Sequence, residues 1–369
     1  MDLFFKDSLT DLSVTWDQLI AELSETETYA SWCSSTSCYE VFKQIIRSLL
    51  LEKPVILADA DDTNQELPVP EYHEESCRIS GLTNKSELLH RLNGLHPGWT
   101  ITLFTSGTTG SPKKVSHSFE SITRFVKVSA KHTGDVWGFA YHPAHMAGIQ
   151  VFFQALLNGN PVIRLSGLPK EQMYEEIRIS GITHISATPT FYRLMLPFDA
   201  TFPAVKGITS GGEKFDKQTI RQLSRIFPEA RITNVYASTE AGTLFAADGD
   251  TFSVSPEISD RIKFENNELL IHTSLTGNRG TPDQEWYHTG DLVEIVSENP
   301  TRFRFVSRNN EMINVGGFKV NPQEVEEMMR TIPGIEDARI FAKNNSVLGN
   351  IICSEVVRTD DGLDEASIR

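Results

Sequence analysis

The sequence predicts an α/β fold in which helices pack on a parallel or mixed sheet. A small β subdomain and a smaller α+β portion follow towards the C-terminal end. Two observations carry this prediction. Between residues 116 and 207, helical and strand-type runs alternate at the spacing of βαβ units, which build parallel sheets. From 243 to 307 the runs shorten and are punctuated by Gly, Pro and Asn, as in antiparallel structure. Length agrees, because 369 residues favour one large domain plus a small one.

Composition bounds the partners. Hydrophobic residues make up 39% of the chain, enough for a sizeable core. A net charge of −15 argues against nucleic acid and anionic membranes. Cys33, Cys38, Cys77 and Cys353 show neither a CxxC pair nor paired metal spacing, which suits a reducing cytoplasm better than a disulfide framework. The stretch Met1 to Asp7 is acidic and too briefly apolar for a signal peptide, and no run approaches bilayer-spanning length. A cytoplasmic protein without membrane insertion is expected.

Residues 1–100 read as a helix-leaning lead-in. Trp16 to Leu23 and Tyr39 to Leu51 have helical apolar spacing, Pro54 to Ala58 reads as a buried strand, and the acidic, proline-bearing Asp59 to Cys77 reads as surface loop. Next, Ile101 to Phe104 forms a strand-type run that opens into Thr105-Ser106-Gly107-Thr108-Thr109-Gly110-Ser111-Pro112-Lys113-Lys114. A segment with so little side-chain bulk offers backbone N–H groups and hydroxyls, the groups that wrap phosphate oxygens. Lys113 adds a positive charge where a polyphosphate would sit. A flexible linker is the plainer alternative, but Pro-Lys-Lys before a returning apolar residue does not suit one. It is no Walker P-loop, because Ser111 stands where that motif needs lysine.

Ser118 to Lys131 reads as helix, Val136 to Ala140 as strand, and Ala147 to Leu157 as a helix stopped at Asn158-Gly159. Pro161 to Leu165, Glu171 to Ser180, Thr183 to Ala187 and Pro189 to Leu196 repeat the cycle. Ligands on such sheets bind at the carboxyl ends of the strands. His142 and His145 have a His-x-x-His spacing, but no third ligand lies nearby in sequence to support a metal, and His145 as a simple helix cap is a second alternative. Gly211 and Gly212, after the apolar Val205 to Ile208, permit the close backbone approach that a flat purine needs. Asn321, Pro322 and the acids after them signal a helix start.

These motifs carry a resemblance. Thr105 to Lys113 is similar to the phosphate-loop signature of the adenylate-forming superfamily: acyl- and aryl-CoA synthetases, peptide-synthetase adenylation domains and luciferase. Four further stretches resemble its motifs in the same order: His142 to Gly148, Tyr236-Ala237-Ser238-Thr239-Glu240, Thr289-Gly290-Asp291, and Ser307 to Val320. The resemblance implies a large AMP-binding domain over 1–308 and a partial, mobile C-terminal domain over 309–369. It also implies a set of roles. Lys113, Thr239, Glu240 and His145 would be catalytic, with Glu240 holding Mg²⁺ through a hard oxygen. Thr105, Ser106, Gly107, Thr108, Thr109, Gly110, Gly211, Gly212, Glu213, Tyr236, Asp291 and Arg308 would bind ATP or AMP. Asn310 would take the hinge, a departure from the commoner Asp or Lys, and Gly316 and Gly317 the thiol channel. Ala237 replaces the family's glycine.

The implied reaction joins ATP and a small organic acid into an acyl-adenylate, then passes the acyl group to coenzyme A. Two alternatives stand beside it: loading of a carrier-protein phosphopantetheine, with an acyl carrier protein as partner, and a catalytically weak nucleotide-binding module. The last arises because no lysine after 319 sits in the context of the family's C-terminal catalytic lysine, and the chain closes at Ala366 to Arg369. A fragment or a poor adenylate former is therefore expected. Relatives that activate α-amino acids place an acid near the His145 motif. Residues 139–150 contain no Asp or Glu, which leans the substrate towards an amine-free acid.

Overall fold

The computed structural model describes residues 2–60, 75–105, 113–212, 215–278, 284–308, 312–315, 318–345 and 349–359. Two compact units divide the chain: Met1–Asp250 with Thr273–Glu285, and Thr251–His272 with Trp286–Arg369.

The first unit begins with β1 (Leu3–Asp7), β2 (Leu12–Thr15) and α1 (Trp16–Ser24), followed by β3 (Glu27–Tyr29), β4 (Trp32–Ser34), α2 (Cys38–Leu50), β5 (Val55–Ala58) and β6 (Glu75–Cys77). Next come α3 (Lys85–Leu92), β7 (Thr100–Thr105), β8 (Lys113–Ser118), α4 (Phe119–Thr123), β9 (Trp137–Phe139) and α5 (Met146–Leu157). It continues with β10 (Val162–Arg164), α6 (Lys170–Ile179), β11 (His184–Ala187), α7 (Pro189–Met195), β12 (Gly207–Gly211), α8 (Lys217–Ile226), β13 (Arg231–Ser238) and β14 (Gly242–Asp248). Its larger sheet runs β2-β1-β10-β9-β11-β12-β13-β14. The pairs from β1 to β13 are parallel and those at the two flanks antiparallel. A second sheet runs β4-β5-β7-β8.

The α/β expectation is met, and α5 shows why the sheet has a buried face. It is apolar on nearly every side and buries nine of its residues, so it can exist only inside a core. Phe152 of α5 stacks on Phe42 of α2 at 4.0 Å, and Phe42 also meets Phe139 of β9 edge-on at 5.2 Å.

The structure departs from the sequence reading in three places. The helix expected over 118–131 ends at Thr123, with only a 3₁₀ turn later at Ala130–His132. Side chains of α5 take the backbone groups that a longer helix would use. The Lys127 N–H donates to Gln154 Oε1, the Lys127 carbonyl accepts from Gln154 Nε2 and Asn158 Nδ2, and the Ser129 N–H donates to Asn158 Oδ1. The expected surface loop 59–77 closes on β6, paired antiparallel with β3, while 61–74 lie outside the described residues. Finally, Leu3–Asp7 is a strand of the main sheet, parallel to β10, although only its brevity as an apolar run drew attention in the sequence.

The second unit holds β15 (Thr251–Ser253), β16 (Ile262–Glu265), β17 (Glu268–His272), β18 (Trp286–Glu298), β19 (Thr301–Arg308), β20 (Ile313–Val315), β21 (Phe318–Val320), α9 (Pro322–Arg330), β22 (Ile335–Asn345) and β23 (Gly349–Arg358). Its strands run β16-β17-β18-β19-β15, with β20-β21 and β22-β23 as separate antiparallel pairs. The antiparallel expectation for this region holds. So does the helix start, since Asn321 caps α9 by accepting from the Gln323 N–H, with Pro322 at the first position.

Candidate active site

A cavity of about 760 Å³ opens in the first unit, over the carboxyl ends of β11 and β12. Four residues singled out from the sequence line it: His145, Gly211, Gly212 and Thr239. Gly212 has φ +87°, where a side chain would be strained, and nothing lies within 4 Å of the place a Cβ would take, so the backbone is open to close approach. Gly211 is tighter, because a Cβ there would stand 3.0 Å from Val235 of β13.

Thr239 and Glu240 occupy the turn between β13 and β14, and two ties fix that turn. His117 of β8 is buried, and its Nε2 donates to the Thr239 carbonyl at 2.8 Å while Nδ1 meets Ser121 Oγ at 3.0 Å. The Gly277 N–H donates to the Glu240 carbonyl at 2.7 Å, and Asn278 exchanges backbone hydrogen bonds with Ser116 of β8. The strand carrying Lys113 and the turn carrying Glu240 are therefore held by one clamp. No sequence motif announced His117 or Gly277; a histidine two residues past the apolar Val115 was the one available hint.

Thr105 and Lys113 are cross-strand partners that close the β7–β8 connection, and Lys113 is exposed. Ser106, Gly107, Thr108, Thr109 and Gly110 lie outside the described residues, as do Glu213, Asn310, Gly316 and Gly317. Tyr236 sits inside β13 and does not line the cavity. Its neighbours Val235 and Ala237 do, so Tyr236 takes the other face of the strand, where its ring lies 5.6 Å from that of Phe245. On that face, Ser210 Oγ and Asn234 Oδ1, from residues paired across β12 and β13, are buried without a hydrogen-bond partner among the described residues. Buried polar atoms are seldom left unpaired, so this pair is open to a hydrogen-bonding group from outside the chain.

In the second unit, Asp291 and Arg308 face each other across β18 and β19, and Arg308 Nε donates to the buried Asp291 Oδ1 at 2.7 Å.

His145 is the N-cap residue of α5, but its side chain makes no capping bond. Its Nε2 lies 2.8 Å from Asp59 Oδ2, and His142 Nε2 lies 3.3 Å from Asp59 Oδ1. Two expectations change with this. A third ligand-type group does stand beside the His-x-x-His pair, contributed from the end of β5, with the three ligand atoms within 4.8 Å of one another. The Ala144 N–H donates to His142 Nδ1, however, which places that ring's proton on Nε2, against Asp59, where a metal would need a lone pair. A carboxylate also stands near the motif after all, although both histidines already engage it. Asp59 was missed because chain folding, not sequence spacing, brings it there.

Burial pushes the His117 imidazole below its ordinary 6.5; the nearby Arg124 charge adds to this and the bond to Thr239 opposes it. The unfolded ring protonates near pH 6.5 and the folded ring only at lower pH. The unfolded state therefore binds more protons in that window, and stability falls as pH falls through it. His184, depressed mainly by burial, acts in the same direction. The urea midpoint is expected to drop between about pH 7 and 5.5, and to drop less in His117→Gln, whose amide can still donate to Thr239. A midpoint flat across that range would contradict this assignment.

Residues 49–285 match the family described as AMP-binding enzyme, and the chain belongs to it. The 2-succinylbenzoate–CoA ligase of Staphylococcus epidermidis is 26% identical over 277 residues, covering 68% of this chain and 57% of that protein. Surfactin synthase subunit 2 of Bacillus subtilis is 23% identical over 317 residues, covering 72% of this chain and 9% of that protein. The solved structure of O-succinylbenzoate coenzyme A synthetase from Bacillus subtilis, in complex with ATP and magnesium ion, matches with a TM-score of 0.68 at 16% identity, covering 97% of this chain and 87% of that one. That likeness shows the shared fold. The chain spans a little over half the length of the CoA ligase it matches. Among the described residues, no helix is long and apolar enough to cross a membrane.

Proposed function

We propose that this chain activates an organic carboxylic acid with ATP, forming an acyl-adenylate, and then transfers the acyl group to coenzyme A. The observation that carries this reading is the clamp through His117 and Gly277, which fixes the Lys113 strand against the Thr239–Glu240 turn beside a cavity large enough for an acid. The carboxylate oxygen attacks the α-phosphorus in line, and pyrophosphate leaves. Lys113 and Thr239 are proposed to meet the phosphates, with the buried acceptor of Asn234 and the ring of Tyr236 taking the adenine. Asp291 and Arg308 are proposed to hold the ribose, and residues 309–369 to form the mobile portion. Glu240 offers the hard oxygen that suits Mg²⁺, which would neutralise phosphate charge. Asp59 orients His145 at the acid's carboxylate.

Acid-dependent ATP–pyrophosphate exchange tests the reading, and its absence across fatty, aryl and dicarboxylic acids would end it. Asp59→Asn is expected to lower exchange about tenfold, the worth of a charge-assisted hydrogen bond. Unchanged exchange would remove Asp59 from the site. The match to a peptide synthetase favours a second acceptor, a carrier-protein phosphopantetheine. Thioester yield on free coenzyme A against a purified carrier separates the two.

A further inference from the structure

The cavity has a second polar end that the reaction does not use. His184, Ser186 and Thr188 line it in alternation along and just past β11. His184 pairs in register with Gly207 of β12, four residues before Gly211. At about 3.3 Å per residue, His184 therefore stands about 13 Å from Gly211, which lines the other end of the cavity. The position is built for its ring. A Cβ at Gly207 would come within 2.5 Å of His184 Cδ2, and the imidazole stacks on Trp137 of β9 at 5.0 Å.

The buried Asp135 organises this end. Its Oδ2 accepts from His132 Nδ1 at 2.9 Å, and its Oδ1 lies 3.6 Å from His184 Nδ1. Thr183 Oγ1 lies 2.9 Å from His184 Nδ1 and donates its own proton to the Val136 carbonyl, so His184 Nδ1 carries a proton and donates to Thr183. Burial, which depresses His184, keeps that ring neutral. His132 and His184 both line the cavity, and the neutral His184, with its proton on Nδ1, is left with a bare Nε2 acceptor. A carboxylate would meet a lone pair there, and an ammonium would meet the positive charges of Lys127, which lines the cavity, and Lys206, which lies near His184, with Asp135 already engaged by His132. A neutral hydroxyl donates to that nitrogen. Between the two ends the wall is apolar, with Phe104, Phe125 and Val151 among its residues.

We propose that the acid this site takes carries a hydroxyl group at the end far from its carboxyl, which donates to His184 Nε2. The proposal rests on the acid-activating reading. Its test is calorimetric binding of matched probes to the chain: 4-hydroxycinnamate against cinnamate, 8-hydroxyoctanoate against octanoate, and octanedioate as a distal carboxylate. The hydroxylated member of at least one pair is expected to bind ~10-fold tighter or better, and the pair that shows it tells a phenolic from an aliphatic skeleton. His184→Phe, which keeps the stack and removes the acceptor, is expected to bring that preference within about twofold. Equal affinities within both pairs, or tightest binding by octanedioate, would overturn the proposal while leaving acid activation standing. Pyrophosphate exchange with none of the five acids, despite a hydroxyl preference in binding, would count against activation instead.

Discussion

Lys113→Ala and Glu240→Ala should each depress acid-dependent pyrophosphate exchange by about 10²–10³, or ~2.7–4 kcal/mol of transition-state stabilisation. In the proposed reaction an anionic carboxylate approaches a polyanion, so neutralising phosphate charge is the main task. Lys113 begins β8, and Glu240 lies in the turn that His117 of the same strand holds. The backbone that carries both groups is therefore held before substrate arrives, which lessens the reorganisation needed during reaction. Lys113 is exposed, so its loss should leave the unfolding midpoint unchanged while exchange falls. Near-normal exchange in either variant would refute its assigned role.

Gly277→Ala should cost about 1–3 kcal/mol of stability, as overpacking does at a well-packed position. An added methyl would lie 2.7 Å from His117 Cε1, 2.8 Å from His117 Nε2 and 2.8 Å from the Ser116 carbonyl. The carbonyl is backbone within β8 and cannot swing away, so the strain falls on the clamp. Exchange should fall as well, because the bond from Gly277 to the Glu240 carbonyl and that from His117 to the Thr239 carbonyl are both disturbed. A variant with unaltered melting and unaltered exchange would show that the clamp is not what positions the turn.

Much of the fold was legible because its signals are local. Apolar spacing in Trp16 to Leu23, the Asn-Gly stop after α5, and the Asn-Pro start of α9 need no distant partner to be read. The 118–131 segment failed for the opposite reason. Its backbone bonds to Gln154 and Asn158, and no local pattern reveals that capture. The site divides the same way. Thr239, Gly211 and Gly212 sit in motifs and reach the cavity, whereas Asp59, His117 and Gly277 act only through contacts across 86, 122 and 37 residues of chain. Gly277 illustrates the limit well: its importance lies in what a side chain would strike, and that is invisible in a sequence.

A structure of the chain with a non-hydrolysable ATP analogue would show where base and phosphates sit. The base is expected against Tyr236, its edge bonded to Asn234, with the phosphates beside Lys113 and Glu240. A nucleotide bound away from Tyr236, or phosphates remote from both charged residues, would contradict this placement.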